Sequence, residues 1–437
     1  MSLHSTEDIL NWVLNLNKNI YVSINKVDLG ESGFWFYNDD TGCIENQNKS
    51  FFQITGLRKK LNGNVVLEQP VILQKEIGYL GIICKKIKGE MHYLMQAKIE
   101  PGNINKIQIS PTIQATKSNF TQKHGGAKPA YLDYFINADK YKIIVDQIQS
   151  EQSSRFLGKR NRNIILEVTD EVEVLPNFRW MTLSQLKQLM RYDNLVNMDT
   201  RTVLSCIPVD WMPEAGDMKD ISLYRSAIEG NKHNNLSDIY NYINNFKMFD
   251  DSQTEIVPLK SLNTWHMSGG EFVCDTGYSF KVIFCDIEIE GREVRRWTQP
   301  LLEASGPAIF ALFTRVRKGI KEFLVRATGE VGCFDKIELG PSVQREYFNE
   351  KPNSLVDDYF DATLQSRRGI VFDTMLSEEG GRFYCEQNRN LIIEVDNELD
   401  TLPKGYFWVD YKTLNSLVQV NNCLNIQLRN LLSVMEW

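Results

Sequence analysis

The stretch LMQAKIEPGN (94–103) places Gln96, Lys98 and Glu100 at alternate positions. In a strand that spacing puts all three side chains on one face. Facing solvent, such a stripe is ordinary polar surface. Lining a cleft, it sets a cation beside a carboxylate, the combination that general acid–base chemistry uses. The run that follows, QATKSNFTQKHGG (114–126), carries Gln114, Thr116 and His124 ahead of a Gly-Gly pair. Two glycines permit a tight turn with exposed N–H groups, a shape that holds an anion or oxyanion. A polar surface turn is the other reading. The string RFLGKRNRN (155–163) adds Arg155, Lys159, Arg160 and Arg162, and guanidinium forks match phosphate oxygens.

These residues belong to a pattern written twice. RNRNIILEV (160–168) returns as QNRNLIIEV (387–395) with six of nine letters identical. The segment 69–114 aligns without a gap to 299–344, with 12 identities in 46. SEQSSRF (150–156) matches SEEGGRF (377–383), LPNFRW matches LPKGYFW, and RTVLS (201–205) matches RNLLS (429–433), all in the same order. The chain is read as a tandem duplication: a first repeat over 1–207, a polar linker over 208–235 and a second repeat over 236–437. Core packing explains the repeated apolar letters. It does not explain the repeated Gln114/Gln344, Arg155/Arg382, or the Asn-Arg-Asn runs containing Asn163, Asn388 and Arg389, because buried polar groups cost free energy unless partnered. They are either internal clasps or a polar ligand pocket.

The copies differ where chemistry would sit. The second replaces Lys159 and Arg160 by Glu386 and Gln387, and keeps only Glu330 and Arg326 from the Gln/Lys/Glu stripe. The first repeat is therefore the expected active-site unit, with the second binding or bracing.

Short β-rich runs such as GYLGIICKKI, MHYLMQAKI and NIILEV are bounded by Gly, Pro or Asn. TLSQLKQLMRY (182–192) has a helical period with Thr182 as N-cap, and 198–207 is a helix stopped at Pro208. Strands run together and helices cluster late, which predicts an α+β fold.

Composition narrows the function. A chain of 437 residues with net charge −7 has no basic footprint for nucleic acid. No 18-residue apolar run suggests a membrane span, and the N-terminus lacks a signal-peptide pattern. Eight scattered cysteines without a CxxC read as free thiols in a reducing, cytoplasmic setting. Five histidines without HxH or HExxH spacing give no expectation of a metal site.

The long blocks EIGYLGII, LMQAKIEPGNINKIQISPTIQATKSNFTQKHGG, RFLGKRNRN, DNLVNMDTRTVLSCIP (193–208) and WTQPLL (297–302) resemble the NDP-hexose 2,3-dehydratases over nearly the whole chain. The resemblance implies two Nudix-like units per subunit, a homodimer, and an NDP-4-keto-6-deoxyhexose substrate, commonly the dTDP-glucose derivative. The product would be the 2-deoxy-3,4-diketo sugar, passed to a reductase or aminotransferase. The metal-binding box of Nudix hydrolases is absent from both halves, which argues against pyrophosphate hydrolysis. A nucleotide-sugar binder without catalysis is the remaining rival.

The implied elimination needs a base for the C3 proton, a donor for the enolate and an acid for the leaving C2 hydroxyl. It requires neither cofactor nor metal. Glu100, Lys98 and His124 are the candidates for base and acid, with Tyr131 as a further proton donor. Gln96, Gln114 and Thr116 are expected to contact the sugar. Arg155, Arg160, Arg162 and Asn163 are expected at the pyrophosphate, while Asn194, Asn197, Asp199 and Arg201 either close the pocket or cap a helix. Gln344, Arg382, Asn388 and Arg389 are their counterparts in the second repeat.

Overall fold

The apolar run at Gly78–Ile87 forms the middle of a seven-stranded sheet. Its neighbours are Glu90–Ile99 on one side and Arg160–Glu167 on the other, with Lys142–Ser150 and Phe178–Thr182 outermost. The Arg160–Glu167 pairing is parallel; the others are antiparallel. Short strands Ile107–Ser110 and Ile113–Ala115 complete the sheet. Leu80, Ile82 and Cys84 face one core, and Ile83, Leu94 and Ile164 face another beneath the Leu132–Ile136 helix. Burial on both faces is why these strands read as continuous apolar runs. Ile309–Arg317, Ile320–Thr328, Ile370–Ser377, Gln387–Glu394 and Tyr406–Asp410 repeat the arrangement in the second half. The fold is α+β in two similar halves, as the sequence pattern indicated. It is seen in a computed structural model that describes residues 3–117, 128–211, 219–230, 236–291, 294–348, 354–396 and 399–436.

Helix Leu183–Leu189 starts at the expected Thr182, whose hydroxyl accepts from Gln185 N while the Gln185 side chain returns to the Thr182 N–H. That reciprocal pair is a capping box. Helix Met198–Ser205 is capped by Asn197, and its counterpart Ile426–Ser433 by Asn425. These two helices pack against each other and are buried along their whole length.

Each half also owns a smaller five-stranded antiparallel sheet, and here the halves exchange strands. Val22–Lys26 of the first half pairs with Phe280–Ile289 of the second, with Val22 opposite Ile289. Gln253–Val257 of the second pairs with Gln53–Leu61 of the first, with Gln253 opposite Lys60. The segment expected to be a plain linker holds a helix, Ile221–Ile228, capped by Asp220 and docked on the second half's large sheet. Among the described residues no helix is long and apolar enough to cross a membrane.

Candidate active site

A cavity of about 940 Å³ opens between the two halves. Its polar end is built by the first large sheet. Lys98 and Glu100 lie on the Glu90–Ile99 strand and the turn after it, joined by an ion pair of 2.6 Å. Gln114 reaches the same space from Ile113–Ala115, Glu151 and Asn161 from the loop and strand that follow Lys142–Ser150, and Asp199 from the buried helix Met198–Ser205.

The second half completes this end. Its loop after Ile370–Ser377 crosses over and inserts Glu379 and Arg382. Gly102 N donates to Gly380 O at 2.7 Å, and Cys385 N donates to Gly102 O at 2.8 Å. The approach is so close that a Cβ on Gly102 would sit 1.6 Å from Phe383 O. The mirrored contact holds at Gly332, where a Cβ would meet Phe156 O at 1.9 Å. Each half therefore lends its Ser-Glu-x-x-x-Arg-Phe loop to the other half's site, and glycine at 102 and 332 makes the loan sterically possible.

The electrostatics of the polar end follow from burial. Asp199 is 1% exposed, and among the described residues its Oδ1 has no hydrogen-bond partner. Burial raises its carboxyl well above the usual range, Glu151 and Glu379 add repulsion, and Lys98 opposes them. Burial and the neighbouring Glu100 push Glu379 up to about 7, against the pull of Arg382. Burial also raises Glu151, whose Oε2 accepts from Asn161 at 2.7 Å. Lys159 is pushed down by burial to about 8, and it donates to Glu76 O at 2.6 Å. Packing several carboxyls into one buried space favours some of them keeping their protons. Such a cluster in a cleft is the arrangement expected of an acid–base site.

The other end is aromatic. Phe34, Trp35, Phe51, Phe52 and Trp297 line it, with Arg296 at the edge. Trp35 Nε1 donates to Thr298 O at 2.7 Å and Trp297 Nε1 to Gln299 Oε1 at 2.8 Å, so both indoles are held by the second half's Arg296–Ala304 strand. The Trp35 and Phe52 rings lie 4.9 Å apart.

A profile of the NDP-hexose 2,3-dehydratase family matches residues 6–207 and again 236–435. The chain belongs to this family. A dTDP-4-dehydro-6-deoxy-α-D-glucopyranose 2,3-dehydratase of Streptomyces violaceoruber is 37% identical, over 94% of this chain and 93% of the relative. One from Saccharopolyspora spinosa is 38% identical over 94% and 87%, and one from Amycolatopsis orientalis 33% over 99% and 90%. The two profile matches coincide with the two halves of this family member.

Of the residues singled out from sequence, the cavity gathers Lys98, Glu100, Gln114, Thr116, Lys159 and Asp199, together with Arg382. Others are placed elsewhere. Gln96 lies on the sheet opposite Phe178, and Tyr131 donates to Glu173 O at 2.7 Å under the short helix. Arg160 stacks on Phe334, and Arg162 and its counterpart Arg389 pair with Asp146 and Asp373 on the neighbouring strand. Asn163 donates to Asn161 O, Asn194 to Gln387 Oε1, and Asn388 to Glu378 Oε1. Asn197 caps its helix and also donates to Ser110 Oγ and Gln114 Oε1, so it braces the wall. Arg201 holds Ser377 O, at the root of the inserted loop. His124 lies outside the described residues.

Two arginines trade places relative to expectation. Arg155 enters the second half's counterpart site, where it pairs with Glu346 at 2.7 Å, while Arg382 enters the first. In the second site Gln344 donates to Glu330 Oε1 at 2.7 Å and accepts from Asn425 at 3.0 Å. Glu379 and the indoles were not singled out from sequence. Comparing the two copies for charge differences would have flagged Glu379, which aligns with Gln152.

Proposed function

We propose that the chain removes water across C2–C3 of an NDP-4-keto-6-deoxyhexose, dTDP-4-keto-6-deoxyglucose in the first instance, giving the 2-deoxy-3,4-diketo sugar. It is a carbon–oxygen lyase. The observation that carries the reading is one cavity with an acid–base cluster at one end and an aromatic wall at the other. Arg382 links the two ends: it lies over the Phe52 ring at 4.1 Å and is drawn to Glu379 and Glu100.

The hexose fits the polar end and the nucleobase the aromatic end, with Arg382 and Lys159 at the diphosphate. The C4 ketone acidifies the C3 proton. Glu100 takes that proton, and the Lys98 ammonium beside it stabilises the oxygen of the enolate. Collapse of the enolate expels the C2 hydroxyl, which leaves as water once protonated. The enol at C3 then tautomerises, and C2 gains a solvent proton. All these steps are acid–base steps, so they call on no cofactor.

The same reading takes each repeat as Nudix-like, supported by a mixed sheet with helices on both faces. It takes 1–207 and 236–437 as the two domains, with the chain acting as a cytoplasmic homodimer whose product passes to a ketoreductase or aminotransferase. These last points are carried by the family resemblance. The test is incubation with dTDP-4-keto-6-deoxyglucose in D₂O, with a 3-ketoreductase and NADPH to trap the product. Loss of water with deuterium at C2 is expected; intact substrate across several nucleotide sugars would refute the reading.

A further inference from the structure

The duplication supplies an internal control for the site, because each position in the first cavity has a counterpart in the second. Glu100, Gln114, Glu151, Asn161 and Arg382 keep their type in Glu330, Gln344, Glu378, Asn388 and Arg155. These residues make the same frame contacts twice; Asn161 binds Glu151 at 2.7 Å and Asn388 binds Glu378 at 2.6 Å. Groups present in both sites build the pocket. Groups that differ are where the two sites part in chemistry, and at the polar end three of these are ionisable in the first site and neutral in the second: Lys98 against Thr328, Asp199 against Gln427, and Glu379 against Gln152.

Two of the three come from the first repeat. The third does not. Glu379 arrives on the loop borrowed from the second repeat, so the distinctive set exists only because the loops are exchanged. Its geometry suits proton donation to a ligand. Gln114 Nε2 at 3.3 Å and Gly381 N at 2.8 Å both donate to Oε1. Among the described residues that leaves Oε2 to carry a proton toward the cavity. Asp199 also borders the cavity but is only 1% exposed, whereas Glu379 is partly exposed.

We infer that Glu379, carried by the second repeat, is the acid that protonates the departing C2 hydroxyl in the first repeat's site. This rests on the dehydratase reading above. As the C2–O bond breaks, its electron pair stays with oxygen, which takes the Glu379 proton and leaves as water. The carboxylate so formed is reprotonated by the proton released at C3 or from solvent. No oxidant or reductant enters the step.

The test separates deprotonation from elimination in the full-length enzyme. Glu379→Gln should fold, because the other copy of this loop carries Gln152 at the same place. In D₂O it is expected to wash deuterium into C3 of recovered substrate while losing water about 10²-fold or more slowly than wild type. Glu379→Asp, which keeps an acid on a shorter arm, is expected to recover part of the elimination. Unchanged elimination in Glu379→Gln would overturn the assignment. So would loss of C3 exchange along with elimination, or weakened binding with kcat unaltered. If wild type itself neither exchanges C3 nor loses water, the dehydratase reading falls and this assignment falls with it.

Discussion

The guanidinium of Arg382, from the second half, lies 4.1 Å from the ring centre of Phe52 in the first. The mirrored pair, Arg155 over Phe280 at 4.3 Å, differs in one respect: Arg155 is also bound to the Glu346 carboxylate at 2.7 Å. The hydrogen bonds of Arg382 go to neutral acceptors, Gly381 O at 2.8 Å and Gln74 Oε1 at 3.3 Å. One arginine is closed by a carboxylate clamp; the other keeps a donor face for an anion. Arg382→Lys loses both the stack and the planar fork. KM for the nucleotide sugar should rise by about 10- to 150-fold, the range of about 1.5–3 kcal/mol for hydrogen bonds to charged groups. Arg155→Lys should lower thermal stability and leave KM near wild type. Steady-state kinetics on both variants checks the contrast.

Lys98 faces Glu100 across 2.6 Å and has no ammonium counterpart in the second site, where Thr328 stands. Lys98→Met removes the donor for the enolate oxygen. Losing one such donor lowers kcat by about 10²–10³-fold. Unlike Glu379→Gln, this variant should also lose C3 deuterium exchange, since enolate formation itself is impaired. Mass spectrometry of recovered substrate distinguishes them.

Trp297 is half-buried at the aromatic end, with its indole N–H fixed by Gln299. Stacking of a base on such a ring contributes about 1–3 kcal/mol. Trp297→Ala should weaken dTDP binding by about 5- to 150-fold in titration calorimetry, with little change in the folded structure. Binding unaffected by this change would place the base elsewhere.

Much of this was legible in the sequence, for physical reasons that differ by element. Gly78–Ile87 and the Thr182 cap were readable because apolar runs and capping residues act locally. The Lys98–Glu100 pair was readable because strand alternation fixes which side chains share a face. Strand exchange was not: Val22–Lys26 is indistinguishable, as a five-residue run, from a strand of its own sheet. Its partner is decided by the tertiary packing of both halves. The same holds for the loop that swaps Arg155 and Arg382 between sites. The basic look of RFLGKRNRN misled for a related reason. Arg162 lies on a strand that places its fork across from Asp146, a partner 16 residues upstream that no local pattern announces.

The second site holds the clearest pH-dependent prediction. Burial pushes Glu330 up to about 8, with Glu346 and Glu338 adding to it, and pushes Glu338 and Glu386 up to about 7. Glu378 rises to about 8, first through burial and then through Glu386. A carboxyl whose folded pKa is raised binds more protons folded than unfolded between its ordinary value and the raised one. Stability therefore falls as pH climbs through that window. The melting temperature of the ligand-free protein should decline from about pH 5 to pH 8 as these groups are forced to ionise. Lys187 and Lys159, pushed down by burial to about 7 and about 8, act in the opposite sense at higher pH, where the unfolded chain binds the extra protons. Glu330→Gln preserves the contact with Gln344 without an ionisable group. It should flatten the decline between pH 5 and 8 and leave the dehydration rate in the first site unchanged. A melting profile as steep as wild type would mean that Glu330 does not hold its proton in the folded chain.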